Sequence, residues 1–441
     1  MSDLTQANIS FARFIKFIIP SILSMVFISF YSAVDGFFLA NYVSSNALAA
    51  INIVLPYLNF VWGLAVMLAT GSSALVGIKI GEGDVSEASR NFTLALLFTI
   101  GASCVILVLS LLNLDNIVHY MGATSILFAD AKLYLIMLVL SAPVLTAKLF
   151  LEYYIRLDGS PMFSLFTSFI GLVLNIVFNY YTVVVLNMGV FGSALATVVA
   201  VVISLIFCVL YFTHYSKTLK FAKTSWQGGF IKHSITNGSS EMLTEISSGI
   251  VAIIFNLTVV AYAGENGLAA IAIIINIFYF LISIYLGIAT GAQPLISCNY
   301  GAHNTKMLSK ILKYSKLCII VSSVLVFAVA LYNGASIIKW YVGGDNVAVL
   351  RIATDGFRLF SLCFLFLGVN IFISGLYTSI GNGLVSAIIS AARSLVFVCI
   401  ALFILPKLMG LKGIWLAIPV AEACTLIMSI GFYKMFVKNH L

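Results

Sequence analysis

The sequence predicts an all-α integral membrane protein with twelve transmembrane helices in two pseudo-symmetric six-helix lobes. Three observations lead to this fold class: the composition, the charge of alternate loops, and an internal repeat. Of the 441 residues, 62% are hydrophobic and only 9% are charged. A soluble domain has about 25% charged residues and needs them to cover its surface. The bilayer must therefore be the solvent for most of this chain.

The apolar stretches are long enough to be helices that cross the bilayer, which takes roughly 20 residues each. Several exceed that length, which allows tilted or bent helices. The predicted spans are, in chain order, 14–40, 49–78, 91–113, 127–151, 162–186, 191–213, 235–262, 268–297, 314–332, 352–378, 384–406 and 413–436.

The loops on the two sides of these spans differ sharply in positive charge. One set of loops, together with both termini, has fifteen basic residues: Arg13, Lys16, Lys79, Arg90, Arg156, Lys217, Lys220, Lys223, Lys232, Lys306, Lys310, Lys313, Lys316, Lys434 and Lys438. The opposite set has five: Lys132, Lys339, Arg351, Lys407 and Lys412. Cytoplasmic loops are enriched in Lys and Arg, so we expect a multi-pass protein of the cytoplasmic (inner) cell membrane with both termini in the cytoplasm.

This placement of charge explains the net charge of +8 without a polyanion, so no nucleic-acid partner is predicted. The seven cysteines lie singly in or beside apolar runs, a pattern that indicates neither disulfides nor a metal site. The five histidines lie in loops or at ends, which excludes a membrane-embedded histidine relay.

The internal repeat aligns the two halves at a nearly constant offset. Residues 48–51 and 268–271 both read Leu-Ala-Ala-Ile, and 69–71 and 289–291 both read Ala-Thr-Gly, at an offset of 220. Residues 188–189 and 409–410 both read Met-Gly. Six spans in each half make the repeat parallel, which is common in secondary transporters. We expect an N-lobe at 1–213, a cytoplasmic linker at 214–234 and a C-lobe at 235–441.

Two stretches carry a resemblance to a known family. The first runs from Pro20 through Asp35-Gly36-Phe37-Phe38 to residues 48–50, and the second is Gly287–Ser297 with Asn299-Tyr300-Gly301. Both resemble the multidrug and toxic compound extrusion (MATE) transporters, and the likeness is closest to the bacterial MepA-like and DinF-like members. The resemblance implies two lobes around a central cavity, alternating access, and export driven by Na+ or H+.

Asp35 is an ionisable residue in an otherwise apolar span, where such residues are costly and usually functional. Asn175 and Asn179 project from one face of the fifth helix, and the loop charges place them, with Thr197, in the outer half of the membrane. One carboxylate with several neutral oxygens suits a hard cation, and the carboxylate could instead carry a proton. Intramembrane Asn and Thr also form plain hydrogen bonds between helices.

The resemblance implies that these four residues form the N-lobe cation site for Na+ or H+. Related transporters use an Asp on the first helix, an Asn and an acidic or amide residue on the fifth, and a Thr on the sixth. Where some relatives have a second Asp, this chain has Asn179, which argues against a mechanism that uses two carboxylates.

The second half offers fewer candidates. Glu245 matches a carboxylate that relatives use for cation or substrate, but their acidic partner on the tenth helix is missing. We expect Arg393 and Glu422 to form a structural ion pair within the C-lobe. Pro20 lies inside the first span and is the candidate gating kink, although a fixed kink would have the same sequence.

These observations favour a secondary active multidrug efflux transporter, with small organic, often cationic compounds as substrates and membrane lipid around it. The alternative is a lipid-linked oligosaccharide flippase, which would need several cavity-lining cations, whereas only Lys148, Arg358 and Arg393 lie within spans. No enzymatic cluster and no nucleotide-binding GxxxxGK[ST] loop is present. We expect a monomer with no cofactor, whose only ligand besides substrate is the coupling Na+ or H+.

Overall fold

The computed structural model describes residues 9–342 and 346–441, except the side chains of Ser32, Tyr341 and Val342. The loop charges predict that the N-terminus is cytoplasmic, but the N-terminal residue lies outside the described residues. The helices in this part of the chain are α1 (Phe11–Tyr42), α2 (Ser45–Glu82), α3 (Val85–Leu112), α4 (Leu114–Tyr120), α5 (Phe128–Leu157), α6 (Pro161–Asn179), α7 (Gly189–Leu210), α8 (Gly228–Gly301), α9 (Thr305–Val342), α10 (Val347–Phe360), α11 (Phe364–Ser379), α12 (Gly383–Ala391), α13 (Phe397–Met409) and α14 (Leu411–His440).

Short turns of other helical type extend or join some of these helices. Tyr180–Val185 and Tyr211–Tyr215 are π-helical turns at the ends of α6 and α7. A 3₁₀ turn at Ser361–Cys363 joins α10 to α11, and a π-helical turn at Ala392–Val396 joins α12 to α13. Each of these joined pairs crosses the membrane as one unit.

Helix α8 accounts for two spans. Its 74 residues would measure about 110 Å if straight, more than three times the thickness of the hydrocarbon core. The backbone leaves helical geometry at Gly264 (φ 58°, ψ −152°), inside the gap that the sequence predicts between spans 235–262 and 268–297. Eleven continuous helical segments of the described residues are long and apolar enough to span a membrane. Counting α8 twice gives twelve, which confirms the predicted fold class.

The repeat extends to backbone conformation at the ends of the helices. Gly159 and Gly381 both have positive φ (83° and 80°), as do Gly189 and Gly410 (59° and 61°). Such residues commonly mark helix boundaries because glycine adopts this conformation without steric cost. The two halves therefore break their helices at equivalent positions.

The hydrophobic core is shared by both halves at one end of the bundle and divided at the other. One cluster contains residues of both halves, including Val76, Tyr154, Leu295 and Leu376. A second cluster lies entirely within residues 39–194, and a third lies entirely within residues 255–421. We call the shared end the basic end, since the lysines at the beginning of α9 and in the segment between α7 and α8 lie there. Beyond it each half has its own core, and we call the region between these two cores the central cleft.

Backbone contacts join the two halves at the basic end, and they follow the repeat. A Cβ on Gly81 would overlap the backbone oxygen of Cys298, and a Cβ on Gly301 would overlap that of Ile78. Residues 298 and 301 are the repeat equivalents of 78 and 81. The two contacts are therefore related by a pseudo-two-fold axis, as a parallel repeat requires.

Polar contacts reinforce this junction. The Gln293 side chain donates from Nε2 to the backbone oxygen of Thr70 (2.8 Å) and to Ser73 Oγ (3.3 Å). Residues 73 and 293 are repeat equivalents, so the bond between Gln293 and Ser73 lies on the pseudo-two-fold axis. Beside it, Gly71 packs against the backbone of Gly238 so closely that neither position has room for a Cβ.

The segment between α7 and α8 is fixed to the first half by Asp158, which is buried at the end of α5. One carboxylate oxygen accepts backbone N–H bonds from Thr218 and Leu219 (2.8 Å each). The other accepts from the backbone N–H of Lys217 (2.6 Å) and from the Tyr211 hydroxyl (2.7 Å). All of these bonds are charge-assisted, which strengthens them.

Beyond this carboxylate, the segment continues along the beginning of α3. The backbone N–H of Lys220 donates to Ser89 Oγ (3.3 Å), and that of Ala222 donates to Thr93 Oγ1 (3.0 Å). The segment therefore covers the first two turns of α3 before α8 begins.

Candidate cation site and central cleft

Asp35 lies on α1 with its carboxylate buried among three polar side chains, and only 5% of the residue is exposed. Its Oδ1 accepts from the amides of Asn175 (3.2 Å) and Asn179 (2.8 Å). Its Oδ2 accepts from the Thr197 hydroxyl (2.9 Å). The structure thus brings together all four residues that the sequence predicts for the N-lobe site.

The two amides reach Asp35 because of where α6 places them. Asn175 and Asn179 are one helical turn apart on α6, and both are fully buried. Asn175 Nδ2 also donates to Thr197 Oγ1 (2.8 Å), and Asn179 Nδ2 donates to the backbone oxygen of Asn175 (3.0 Å). Three helices, α1, α6 and α7, are cross-linked at this one point.

The amide oxygens at this site have no partner. Asn175 Oδ1 and Asn179 Oδ1 are buried and accept no hydrogen bond, which costs free energy in a membrane interior. Rotating either amide by half a turn would aim its oxygen at the same space as the Asp35 carboxylate. The site can then present one negative charge and neutral oxygens to a hard cation, or keep the present donors around a protonated carboxyl. Among the described residues there is no cluster of three His, Cys, Asp or Glu side chains, the kind of cluster that holds a transition metal.

Tyr134 lies in the surroundings of this site, and no sequence pattern singles it out. The residue is 3% exposed on α5 and lies within electrostatic range of Asp35. Tyrosine is common in apolar helices, so only the fold distinguishes this one from the other nineteen.

Pro20 is inside α1 and buried, but it is not beside Asp35. Fifteen residues separate the two, which is about 22 Å along a helix. Pro20 instead lies at the level where α1 meets α8, since the next residues Ser21 and Ile22 pack against Gly291 and Gly287. The predicted kink therefore belongs to the junction between the halves.

Glu245 faces the central cleft from the first half of α8. Its Cβ and Cγ lie 3.1 Å from the position of a Cβ on Gly63 of α2, so the two helices touch there. Glu241, one turn earlier, is within electrostatic range of Glu245, and both carboxylates lie within electrostatic range of Tyr153. Tyr279, half exposed, is also within range of Glu245. The cleft therefore combines carboxylates with aromatic faces.

Comparison with known proteins identifies the family. The sequence model of the MatE family matches residues 20–181 and 240–403, one match in each half of the chain. The chain belongs to the MATE family. Members of this family are transporters, so the chain is a transporter and not an enzyme.

Relatives and solved structures match over nearly the full length of this MATE protein. The multidrug export protein MepA of Staphylococcus saprophyticus is 22% identical over 96% of this chain and 94% of its own. MepA of Staphylococcus aureus (strain MRSA252) is 24% identical over the same shares. A multidrug resistance MATE transporter in an outward-facing conformation has a TM-score of 0.91 at 21% identity, covering 96% of this chain and 95% of that one. A MATE structure described as the bent conformation has a TM-score of 0.89 at 20% identity, with the same coverage.

The first half of this MATE protein also contains a buried charge cluster that the sequence analysis missed. Lys148, Glu152 and Arg156 are spaced four residues apart on α5, and none is more than 3% exposed. Lys148 Nζ is 2.9 Å from Glu152 Oε1, which also accepts from the hydroxyls of Thr167 (3.0 Å) and Ser168 (3.1 Å). The i, i+4, i+8 spacing of Lys, Glu and Arg is the signal that could have revealed it.

Arg156 is the member of this cluster that the sequence analysis misplaced. It was expected in a basic loop, whereas the structure buries it at the end of α5 because the helix runs on beyond the predicted span. Its Nε donates to Ser164 Oγ (3.0 Å), and its Cζ atom lies 5.0 Å from the centroid of the Tyr153 ring. Nη1 and Nη2 have no hydrogen-bond partner.

The ion pair expected in the second half is present. Arg393 Nη1 is 3.4 Å from Glu422 Oε1, and both side chains are buried. Glu422 Oε2 accepts from Asn370 Nδ2 at 2.7 Å. Asn370 on the tenth span therefore contacts the Glu422 carboxylate on the twelfth span. The tenth span itself lacks an acidic residue, but an acidic group lies beside it.

Proposed function

We propose that this chain is a secondary active exporter of organic, often cationic compounds, which it moves by antiport with Na+ or H+ through alternating access. The observation that carries the proposal is the Asp35 site, a single buried carboxylate surrounded by neutral polar groups from α6 and α7. The names of the relatives, multidrug export proteins, support the class of cargo.

Asp35 supplies the coupling. A carboxylate this deeply buried is stabilised when Na+ coordinates it or when a proton neutralises it, so either ion would be taken up from the side where the site is accessible. One charge moving down 100 mV yields about 2.3 kcal/mol, which is enough to drive export without ATP. Thr197, Asn175 and Asn179 would supply neutral oxygens to Na+, whereas they would remain hydrogen-bond donors to a protonated Asp35.

The cleft supplies the substrate site. Glu245 and Glu241 would attract a cation, and exposed rings such as Tyr279 and the Phe30–Phe280 pair (5.3 Å apart) would stack on its apolar part. Because the Asp35 site lies inside the first half and the carboxylates lie in the cleft, ion and substrate would not compete for one group. Coupling would then act through the relative position of the halves.

The two halves, 1–213 and 235–441, would move as lobes joined by the linker 214–234. The loop charges support a cytoplasmic location for the basic end and for both termini, in the inner membrane. The junction at this end would open as the outer cleft closes, with α1 bending at Pro20. We propose that the protein works as a monomer, since each chain contains both halves, and that it needs no cofactor.

The experiment is efflux of a fluorescent cationic dye from reconstituted vesicles under an imposed Na+ gradient or an imposed proton gradient. The variant is Asp35→Asn, which keeps the shape of the side chain and removes its charge. The matched control is Asp115→Asn, which removes an exposed carboxylate that pairs with Lys132 outside the site. Loss of efflux in Asp35→Asn alone supports antiport through Asp35, and the effective gradient names the ion.

Equal efflux from Asp35→Asn and the native protein would refute coupling at this site. No dye efflux under either gradient, with movement of lipid-linked sugar instead, would support the flippase. The structure gives that alternative little support, because Lys148 and Arg393 are both bound to carboxylates. Neither is then available to neutralise a diphosphate.

A further inference from the structure

The beginning of α9 forms a basic groove at the membrane boundary. Its volume is about 420 Å³, and its lining consists of three lysines, two hydroxyl residues and the last residue of the chain: Lys306, Lys310, Lys313, Thr305, Ser309 and Leu441. The lysines occur at i, i+4 and i+7, so they line one face of the helix. We call this feature the α9 groove.

The three lysines are the charged side chains of this lining, and they outnumber the single α-carboxylate of Leu441. No Asp or Glu occurs between Glu265 and Asp345 in the sequence. Asn304 accepts from the backbone N–H of Met307 (3.1 Å), which starts the helix at the groove and directs its positive end there. The α9 groove therefore favours an anion, and its hydroxyls can donate hydrogen bonds to one.

The same face of α9 continues into an exposed apolar stripe. Leu317 is 50% exposed, Ile320 46% and Val324 56%, and all lie in line with Lys306 and Lys313 along the helix. In the membrane these side chains would face acyl chains. A molecule that fits both parts has an anionic head and a hydrocarbon tail.

The internal repeat shows that the equivalent groove of the first half is filled. Ser89 and Thr93 on α3 are the repeat equivalents of Ser309 and Lys313, at an offset of 220. Their hydroxyls accept from the backbone of the linker, at Lys220 and Ala222. The first half therefore closes this surface with its own chain, whereas the second half presents an open groove with lysine at the position of Thr93.

We propose that the α9 groove binds one anionic phospholipid, with its phosphate between Lys306 and Lys313 and its acyl chains along Leu317, Ile320 and Val324. Basic pockets between transmembrane helices at the cytoplasmic face bind such headgroups by the same chemistry. The lipid takes the place that the linker has on α3. This site is separate from Asp35 and from the cleft, so it stands or falls independently of the transport mechanism.

The experiment measures binding of phosphatidylglycerol to the purified full chain in phosphatidylcholine nanodiscs, with a spin-labelled lipid or by native mass spectrometry. The variant is Lys306→Gln with Lys313→Gln. The control is Lys220→Gln with Lys223→Gln, which removes the same charge from two exposed lysines at the basic end of the first half. All four positions are exposed, so both variants are expected to fold, and gel filtration checks this.

We expect saturable binding of one lipid per chain, weakened about 30-fold in the Lys306/Lys313 variant and by less than about threefold in the control. Equal weakening in both variants, or none in either, would overturn the proposal, since binding would then reflect general surface charge or another site. A competition arm adds millimolar inorganic phosphate. Displacement of the lipid by phosphate would identify a free-anion site and would also overturn it.

Discussion

Glu152 offers the sharpest test of how buried charge is balanced in the first half. Its carboxylate is the only negative charge in the α5 cluster, and it separates the Lys148 ammonium from the Arg156 guanidinium along the helix. Glu152→Gln keeps the size of the side chain but leaves two buried cations without a counter-charge. Removing one partner of a buried pair costs about 3–5 kcal/mol of unfolding free energy, because the remaining charge is uncompensated.

The double variant Lys148→Met with Glu152→Leu should cost much less. It removes both charges of the pair and leaves Arg156 as the one buried cation, so the net charge of the cluster stays at +1, whereas Glu152→Gln raises it to +2. Replacement of a buried pair by apolar residues is often neutral. Thr167 and Ser168 lose the carboxylate as acceptor, but each already donates to the backbone oxygen of Ser164 (2.8 and 3.1 Å). We therefore expect a loss of about 2 kcal/mol or less for the double variant, less than for Glu152→Gln alone.

The measurement is SDS-induced unfolding in mixed micelles, followed by the change in tryptophan fluorescence. It is made for the native protein, for Glu152→Gln, and for the cycle of Lys148→Met, Glu152→Leu and the double variant. The cycle gives the coupling free energy directly. If the loss of unfolding free energy in the double variant equals the sum of the losses in Glu152→Leu and Lys148→Met, the pair contributes no coupling. The electrostatic account of this cluster would then be wrong.

Three further predictions concern the junction, the linker and the ion site. Gly71→Ala should favour separation of the halves at the basic end, because its methyl group overlaps the backbone of Ser234 and Gly238. The rate at which a thiol reagent labels a cysteine introduced at Ser73 should then increase. Gly101→Ala is the control and should leave this rate unchanged, because its methyl group meets no other atom within 4 Å. Asp158→Asn should cost about 1–3 kcal/mol, since the amide replaces one accepting oxygen with a donor, and trypsin should then cut the linker lysines faster than in Asp115→Asn. Thr197→Val should weaken the apparent affinity for the coupling ion about tenfold, because it removes a hydroxyl that donates to Asp35 at 2.9 Å. The measurement is the dependence of dye efflux on ion concentration, with Thr213→Val as the exposed control. An ion dependence in Thr197→Val equal to that of the control would contradict this prediction.

The number of helices could be predicted from the lengths of the apolar stretches and the charges of the loops. The grouping around Asp35 could be predicted from residue spacing together with the family resemblance. Apolar length and loop charge define the spans, and the i, i+4 spacing of Asn175 and Asn179 places both amides on one face. The resemblance to MATE transporters then selects the helices that meet. The side-chain distances around Asp35 agree with that expectation.

What could not be predicted depends on helix length and on packing between helices. Arg156 was placed in a loop because hydropathy ends a span at the first charges, whereas α5 continues for six residues beyond the predicted end at 151. Glu422 was paired with Arg393, but its bond to Asn370 depends on the angle at which α11 and α14 cross. Tyr134 has no sequence signal, since its position relative to Asp35 depends on how α5 packs against α2 and α7.

The junction at the basic end has a consequence for the origin of this architecture. Residue 78 meets residue 301 and residue 81 meets residue 298, which is the reciprocal pairing that defines an isologous interface. Two identical chains of half this length, inserted in the same direction, would make the same contact as a symmetric homodimer. The present protein keeps that dimer interface within a single chain. The Asp35 site and the lysines of α9 are features that only one half has, so they mark where the two halves differ.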